Sequence, residues 1–402
     1  MSWSPVSEGA VRNSHSGDPM FQARLAYIHS QTPNYVRVHK NISTFASLFP
    51  EVHYIGCSRG AKWDDGVRPD NVTYHMDQRV LAHGPRSALG LPGFFRFVKE
   101  RVETLRPDVV VATNEEAVLP FVLGYLPRPP VLVCDLLDSL AIRTTGPLRH
   151  LSRVWRALSE RALCSIDGLV EVTEERLARH RVVPRTTTVV YNSPVWREYE
   201  PEDGVPRGAV YVSGSIADGV SGVEAIVSAV ERIPDLRIVF AGRTYGRWVT
   251  DSFLRHPRVH NLGEITPERS LGIAKASLAI FAHYKPVNLN CIYAAPNKLF
   301  DAMMLGVPLL INRECRAATM AEREGFGVLS SYGDVDELET ALRRLLAARE
   351  DAAGRQAETQ RAFRDHYAWD HMKDRYASLF RALSVPEEAT ETRVAAVSRV
   401  SR

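Results

Sequence analysis

The sequence predicts an α/β protein made of two Rossmann-like, doubly wound domains that face a cleft. Three observations carry this expectation. Short apolar runs alternate with amphipathic stretches along most of the chain, as parallel strands joined by helical crossovers require. The alternation breaks once, at SPVWREYEPEDGVPRG (193–208), whose three prolines, two glycines and mixed charges read as an exposed linker. Finally, 402 residues exceed one ordinary core and suit two of roughly 150–200 residues each.

The elements follow in order. LAYIHS (25–30) and VHYIGC (52–57) read as strands flanking a helical ISTFASLF (42–49). VVVAT (109–113), PVLVCDL (130–136) and GLVEVT (168–173) continue the first sheet. Beyond the linker come AVYVSGS (209–215), the helical VEAIVSAVERI (223–233), LRIVFAG (236–242), VHNLG (259–263), SLAIFAHY (277–284), PLLIN (308–312) and the helical DELETALRRLLAA (336–348). A last helix is predicted over 358–383, with Phe363, Tyr367, Met372, Tyr376 and Phe380 at helical spacing. The expected division is a tail at 1–21, a first domain at 22–193, a linker at 194–207, a second domain at 208–357, the terminal helix at 358–383 and a tail at 384–402.

Composition narrows the function. With 50 basic and 47 acidic residues the net charge is only +3, too little to expect nucleic acid as a partner. Five cysteines stand far apart with no CxxC pair, so no zinc site or disulfide framework is expected and a reducing, cytoplasmic setting fits. Thirteen histidines form no HxH or HExxH group, and no metal is expected. The first twenty residues lack a signal peptide's basic and apolar regions, and no apolar run is long enough to span a bilayer. LGLPGFFRFVK (89–99) and GPLRHLSRVWRAL (146–158) mix basic and apolar residues. Each admits two readings: a peripheral membrane contact, or a core-facing stripe with a solvated basic back. In the second segment that stripe would be Leu148, Leu151, Val154, Trp155 and Leu158.

The most informative segment is AAPNKLFDAMMLGVPLLIN (294–312). Pro296 and Asn297 are start signals, Gly306 is a C-cap, and Pro308 precedes the next strand. Lys298 falls in the first turn and Asp301 one turn on, on roughly the same side. A helix amino end suits a phosphate, a lysine there adds a point charge, and a carboxylate can accept from ribose hydroxyls. Equally, Asn297 could simply cap the helix and Asp301 complement its dipole. In CDLLDSLA (134–141), Asp135 and Asp138 follow a strand, where an aspartate either caps the next turn or serves as a base. Arg37, His39 and Lys40 precede a helix, placed to meet an anion or to be a solvated helix start. Asn114, Glu115 and Glu116 end another strand and read either as acceptor-binding or as plain surface residues.

These segments in this order resemble the GT-B glycosyltransferases, closest to the large family-four group. The PNKLFDAMMLGVP run matches that family's donor-site helix. YVRVHKNISTFASLFPEVHYIG (35–56), RPDVVVATNEEAVLP (106–120), DGLVEVTEERLARH (167–180), VVYNSP (189–194) and YAWDHMKDRYASL (367–379) match further landmarks, the last being the helix that crosses back to the first domain. The resemblance covers about residues 22–383. It implies transfer of a sugar from a nucleotide diphosphate-sugar, favouring a UDP-sugar, to a hydroxyl acceptor, with no cofactor. It also implies donor loops at Gly242–Arg243 and Gly263–Glu264, with Asn297, Lys298 and Asp301 on the donor helix.

The sequence departs from the family as well. The basic G-R-x-x-x-x-K-G loop is replaced by GSIADGVSG (214–222), the first glutamate of E-x7-E falls at Tyr293, and the second is shortened to Asp301. The lone lysine at the helix start is similar to the xanthan-assembly glucuronosyltransferases. That likeness implies Asp138 as the base; Asp135, Arg37, Asn114 and Glu115 are expected on the acceptor or phosphate side from their own places at strand and helix ends. A sugar-nucleotide epimerase of the same fold and a catalytically inactive nucleotide-sugar-binding subunit are the alternatives. The Arg- and Ala-rich composition suggests a bacterial source making polysaccharide, glycolipid or secondary metabolites.

Overall fold

The computed structural model describes residues 19–30, 32–33, 35–58, 68–78, 87–139, 152–206, 208–349 and 352–387. The first seven strands are β1 (Arg24–Ile28), β2 (Glu51–Cys57), β3 (Val72–Asp77), β4 (Val109–Thr113), β5 (Val131–Leu136), β6 (Gly168–Glu171) and β7 (Thr186–Val189). They form one sheet in the order 3-2-1-4-5-6-7, every pair parallel. Then come β8 (Ala209–Ser213), β9 (Ile216–Ala217), β10 (Arg237–Ala241), β11 (Thr244–Tyr245), β12 (Val259–Asn261), β13 (Ala279–Ala282), β14 (Leu309–Asn312) and β15 (Gly327–Ser330). Six of them form a second parallel sheet ordered 12-10-8-13-14-15, while β9 and β11 pair with each other.

The apolar runs become central strands because both faces of a parallel sheet are covered by helices; all five residues of β4 are buried. In the first sheet two strands escape the pattern. β3 (VTYHMD) is an edge strand with mostly half-buried residues, and β7 (TTTV) is short and polar. In each sheet the strand order reverses beside the first strand, at β1/β4 and β8/β13. Ligands of open parallel sheets bind in the crevice beyond the carboxyl ends at such points. Residues 194–206 carry no strand or helix.

The helices are α1 (Val36–Leu48), α2 (Ser87–Leu105), α3 (Asn114–Val122), α4 (Ser152–Cys164), α5 (Glu174–Leu177), α6 (Val223–Glu231), α7 (Pro267–Ala276), α8 (Leu289–Ile292), α9 (Asn297–Leu305), α10 (Ala317–Arg323), α11 (Val335–Ala347), α12 (Ala352–Ala362) and α13 (Trp369–Ala382). The terminal helix expected over 358–383 is two helices, α12 and α13. They are separated by a π-helical turn (Phe363–Tyr367) and by Ala368, whose extended backbone (ψ 152°) cannot continue a helix. Its apolar stripe is nonetheless buried as expected. α13 packs on the first sheet's helix α1, with Phe380 5.0 Å from Phe49 and Tyr376 5.1 Å from Phe45, ring to ring.

The expected tails shrink at both ends. Phe21 is fully buried and Val385 nearly so, and Phe21 bridges Glu387 in antiparallel fashion. Residues 1–18 and 388–402 of those tails lie outside the described residues. In α2, Phe94, Val98 and Val102 are buried in the core, which leaves the 89–99 segment as a core stripe. In α4 the expected stripe fails at Val154, which is 56% exposed; Ser159, Ala162 and Leu163 face inward instead. Leu148 and Leu151 lie outside the described residues. Among the described residues no helix is long and apolar enough to cross a membrane.

Candidate active site

Helix α9 forms because LFDAMML supplies strong helix formers with one apolar face, burying Leu299, Phe300, Ala302, Met303, Met304 and Leu305. Gly306 ends it in the left-handed region (φ 67°), where a Cβ would also come within 2.8 Å of the Gln356 carbonyl. The N-cap is Pro296; Asn297 is the first helical residue and does not cap. Lys298 and Asp301 are partly buried, and their surroundings move both charges toward neutrality. Burial lowers the Lys298 pKa to about 8 against the pull of Asp301. Burial raises that of Asp301 to about 7, against the pull of Lys40 first and Lys298 second. Lys40 belongs to α1, on the other sheet. Burial and Arg37 bring its pKa to about 7, with Asp301 opposing, and its ammonium donates to the Ser193 carbonyl. Lys40, read either as meeting an anion or as a solvated helix start, thus joins Lys298 and Asp301 in one electrostatic cluster between the two units.

In the second unit, glycines shape the carboxyl ends of β8, β10 and β12. Gly242 has φ 147°, and a Cβ there would fall 2.0 Å from the Gly214 carbonyl oxygen. The Gly242 amide donates to Gly263 O and the Arg243 amide to Gly214 O, interlocking the three loops. They border an open cleft of about 420 Å³, lined by Phe240, Gly242, Arg243, Tyr245, Asn261 and Glu264 among others. Arg243 and Glu264 pair with each other across the rim at 2.8 Å, both largely exposed.

Asp138 lies in the turn after β5, its side chain about half exposed. Two groups hold this turn. Asn114, strained at φ 63°, accepts from the Leu137 and Asp138 amides with Oδ1, each at 2.9 Å. Arg176 of α5 donates from Nη1 to Leu137 O at 2.7 Å, sits 3.9 Å from Asp138 Oδ1, and donates from Nε to Tyr293 O at 2.8 Å. Tyr293, where the family's first glutamate falls, has its ring under the Arg179 guanidinium at 4.3 Å. Sequence reasoning missed Arg176, since one arginine among EERLARH carries no local signal.

Three expected acceptor-side residues are occupied elsewhere. Arg37 is 3% exposed and bonds Asp135 Oδ1 (3.1 Å), Val190 O (2.7 Å), Tyr191 O and Asn192 Oδ1. Burial works against its charge, but Asp135 outweighs it and the pKa is raised. Asp135 is fully buried and also accepts from Asn41 Nδ2 at 2.6 Å. As a paired buried charge it is fixed in the interior. Glu115, read as acceptor-binding or surface, is fully buried and accepts from the Ser139 and Ser159 hydroxyls. Among the three, Arg37 reaches toward the second unit. It does so through Asn192, whose Nδ2 reaches Ala295 O at 3.2 Å, just ahead of α9.

Known structures share this fold. Sucrose-phosphate synthase from Thermosynechococcus elongatus aligns with a TM-score of 0.72, covering 90% of this chain and 99% of its own at 15% identity. The fold is GT-B. WaaG, a glycosyltransferase involved in lipopolysaccharide biosynthesis, aligns over 88% of this chain and 99% of its own (TM-score 0.63, 15% identity). Anabaena HepE in complex with UDP-glucose aligns over 90% and 100% (TM-score 0.65, 14% identity). Residues 221–378 match the model of a family described as glycosyl transferase-like; in this GT-B chain that span holds α9 and the Gly242 and Gly263 loops. No curated protein matches the sequence significantly.

Proposed function

We propose that the protein is a glycosyltransferase that moves a sugar from a nucleoside diphosphate-sugar, read as a UDP-sugar, to a hydroxyl acceptor. The observation that supports this reading is the double link between the two units: Arg176 ties the Asp138 turn to Tyr293, just ahead of α9, and Lys40 of α1 acts on the Asp301 carboxylate of α9. The glycine-shaped loops and the 420 Å³ cleft receive the nucleoside, and Asn297, Lys298 and the amino end of α9 receive the diphosphate. Asp301 accepts from donor hydroxyls. Asp138 takes the acceptor proton as the hydroxyl attacks the anomeric carbon and the nucleoside diphosphate leaves. The lysine offsets the leaving charge, with no metal invoked. The family match over 221–378 and the structural neighbour holding UDP-glucose support the donor class. Acceptors come from the first unit's side, in cytoplasmic carbohydrate assembly.

The test is to titrate UDP, GDP and their sugars by calorimetry, then to follow nucleotide release with a panel of sugar and aromatic hydroxyl acceptors. Acceptor-dependent UDP release is expected. An epimerised donor formed without acceptor, or nucleotide binding with no turnover, would replace this reading.

A further inference from the structure

We propose that Arg176 is a positioning residue for Asp138 that ties the Asp138 turn to the seat of Tyr293, so that the base takes its place only when the two units meet as they do here. The inference rests on the reading of Asp138 as the base. The turn has two holders of different kinds. Asn114 fixes the Leu137 and Asp138 amides from within the first unit. Arg176 holds the Leu137 carbonyl with Nη1 and donates from Nε to a carbonyl of the second unit, 117 positions away. A guanidinium does both from two separated nitrogens of one rigid plane, whereas an ammonium would have to reach both carbonyls from a single nitrogen.

Burial gives the contact its force. Arg176 is 4% exposed, and its named polar partners are Leu137 O, Tyr293 O and the Asp138 carboxylate, the last at a looser 3.9 Å. If Tyr293 moves away, a buried guanidinium loses one of its two short bonds, and its orientation toward the Asp138 turn is no longer fixed. The turn after the same short helix grips Tyr293 a second time, through Arg179 over the ring. Thr173 caps that helix by accepting from the Arg176 amide, which fixes the backbone that carries the fork. Placement of the donor-side loop and placement of the acceptor-side carboxylate therefore share one side chain.

Arg176→Lys in the full chain tests this, since it keeps the charge and removes the fork. Hydrogen exchange of residues 136–139 and 292–296, with and without UDP, is expected to rise together by about tenfold in the variant. Transfer kcat is expected to fall by about a hundredfold, as for a misplaced catalytic group, while the donor KM stays within about twofold. Exchange that rises in one segment alone, or in neither, overturns the proposal, as does an unchanged kcat. Tyr293→Gly leaves Arg176 in place and loosens only its far partner; faster exchange at 136–139 in that variant is expected, and wild-type protection there overturns the coupling. The exchange comparison uses no turnover, so a wild-type chain that transferred no sugar would count against the transferase reading alone.

Discussion

Trp369 Nε1 donates a 2.9 Å hydrogen bond to Thr44 Oγ1, joining positions 325 apart in the sequence. The same indole lies 4.3 Å beneath the Lys40 ammonium. The bond pins the start of α13 to α1, and the same indole seats the Lys40 ammonium. Trp369→Phe keeps most of the apolar area but leaves the buried Thr44 hydroxyl without its donor. Urea unfolding is expected to show a loss of about 1–3 kcal/mol. Unchanged stability would mean that the Phe380 and Tyr376 contacts hold α13 alone.

Lys298→Met preserves the stem of the side chain and removes the charge. UDP affinity measured by calorimetry is expected to fall about tenfold to a hundredfold, the range of one charge-assisted contact. Unaltered affinity removes Lys298 from the donor site.

The same lysine sets a pH dependence. Its pKa is lowered to about 8, so the ammonium that attracts a diphosphate is present below that value and lost above it. UDP affinity is expected to decline between pH 7 and 9, where an ordinary lysine would keep its charge. Asp301 works in the opposite sense on stability. Its folded pKa is raised to about 7, so the folded state favours the neutral acid, and ionisation weakens folding progressively from about pH 4 to pH 7. The melting temperature of Asp301→Asn relative to wild type is expected to rise across that window; a flat difference would contradict it.

Asp138→Asn keeps the turn's hydrogen bonds through the Leu137 and Asp138 amides and removes the base. Transfer is expected to drop by about 10²–10⁴-fold with UDP affinity preserved. Full turnover in this variant would reassign proton removal.

Gly242→Ala puts a methyl into the Gly214 carbonyl at a backbone angle that L-residues avoid. A cost of at least about 1–3 kcal/mol and loss of UDP binding are expected by thermal unfolding and calorimetry. Wild-type behaviour would show that these loops move freely past one another.

The sequence reveals strands where burial is two-sided and hides them where it is not. VVVAT declares itself because every residue is buried; VTYHMD and TTTV do not, because edges tolerate polar residues. Helix α9 is legible since Pro296, Gly306 and the LFDAMML run are local signals. The other wall was not, because its meaning is set by distant partners. Arg37 and Asp135 look like ligand groups until they are seen paired across 98 positions. Glu115 resembles a surface residue until two serines are found on it. Arg176 carries no local mark at all, since both its carbonyl partners lie far along the chain.

The antiparallel bridge between Phe21 and Glu387 brings the first and last described segments side by side, against α13. A short peptide could splice those segments together, and new termini opened in an exposed stretch such as 201–206 would leave every strand of both sheets whole. Such a circular permutant should still refold, and its reordered connectivity would report whether the closing helix must be made last.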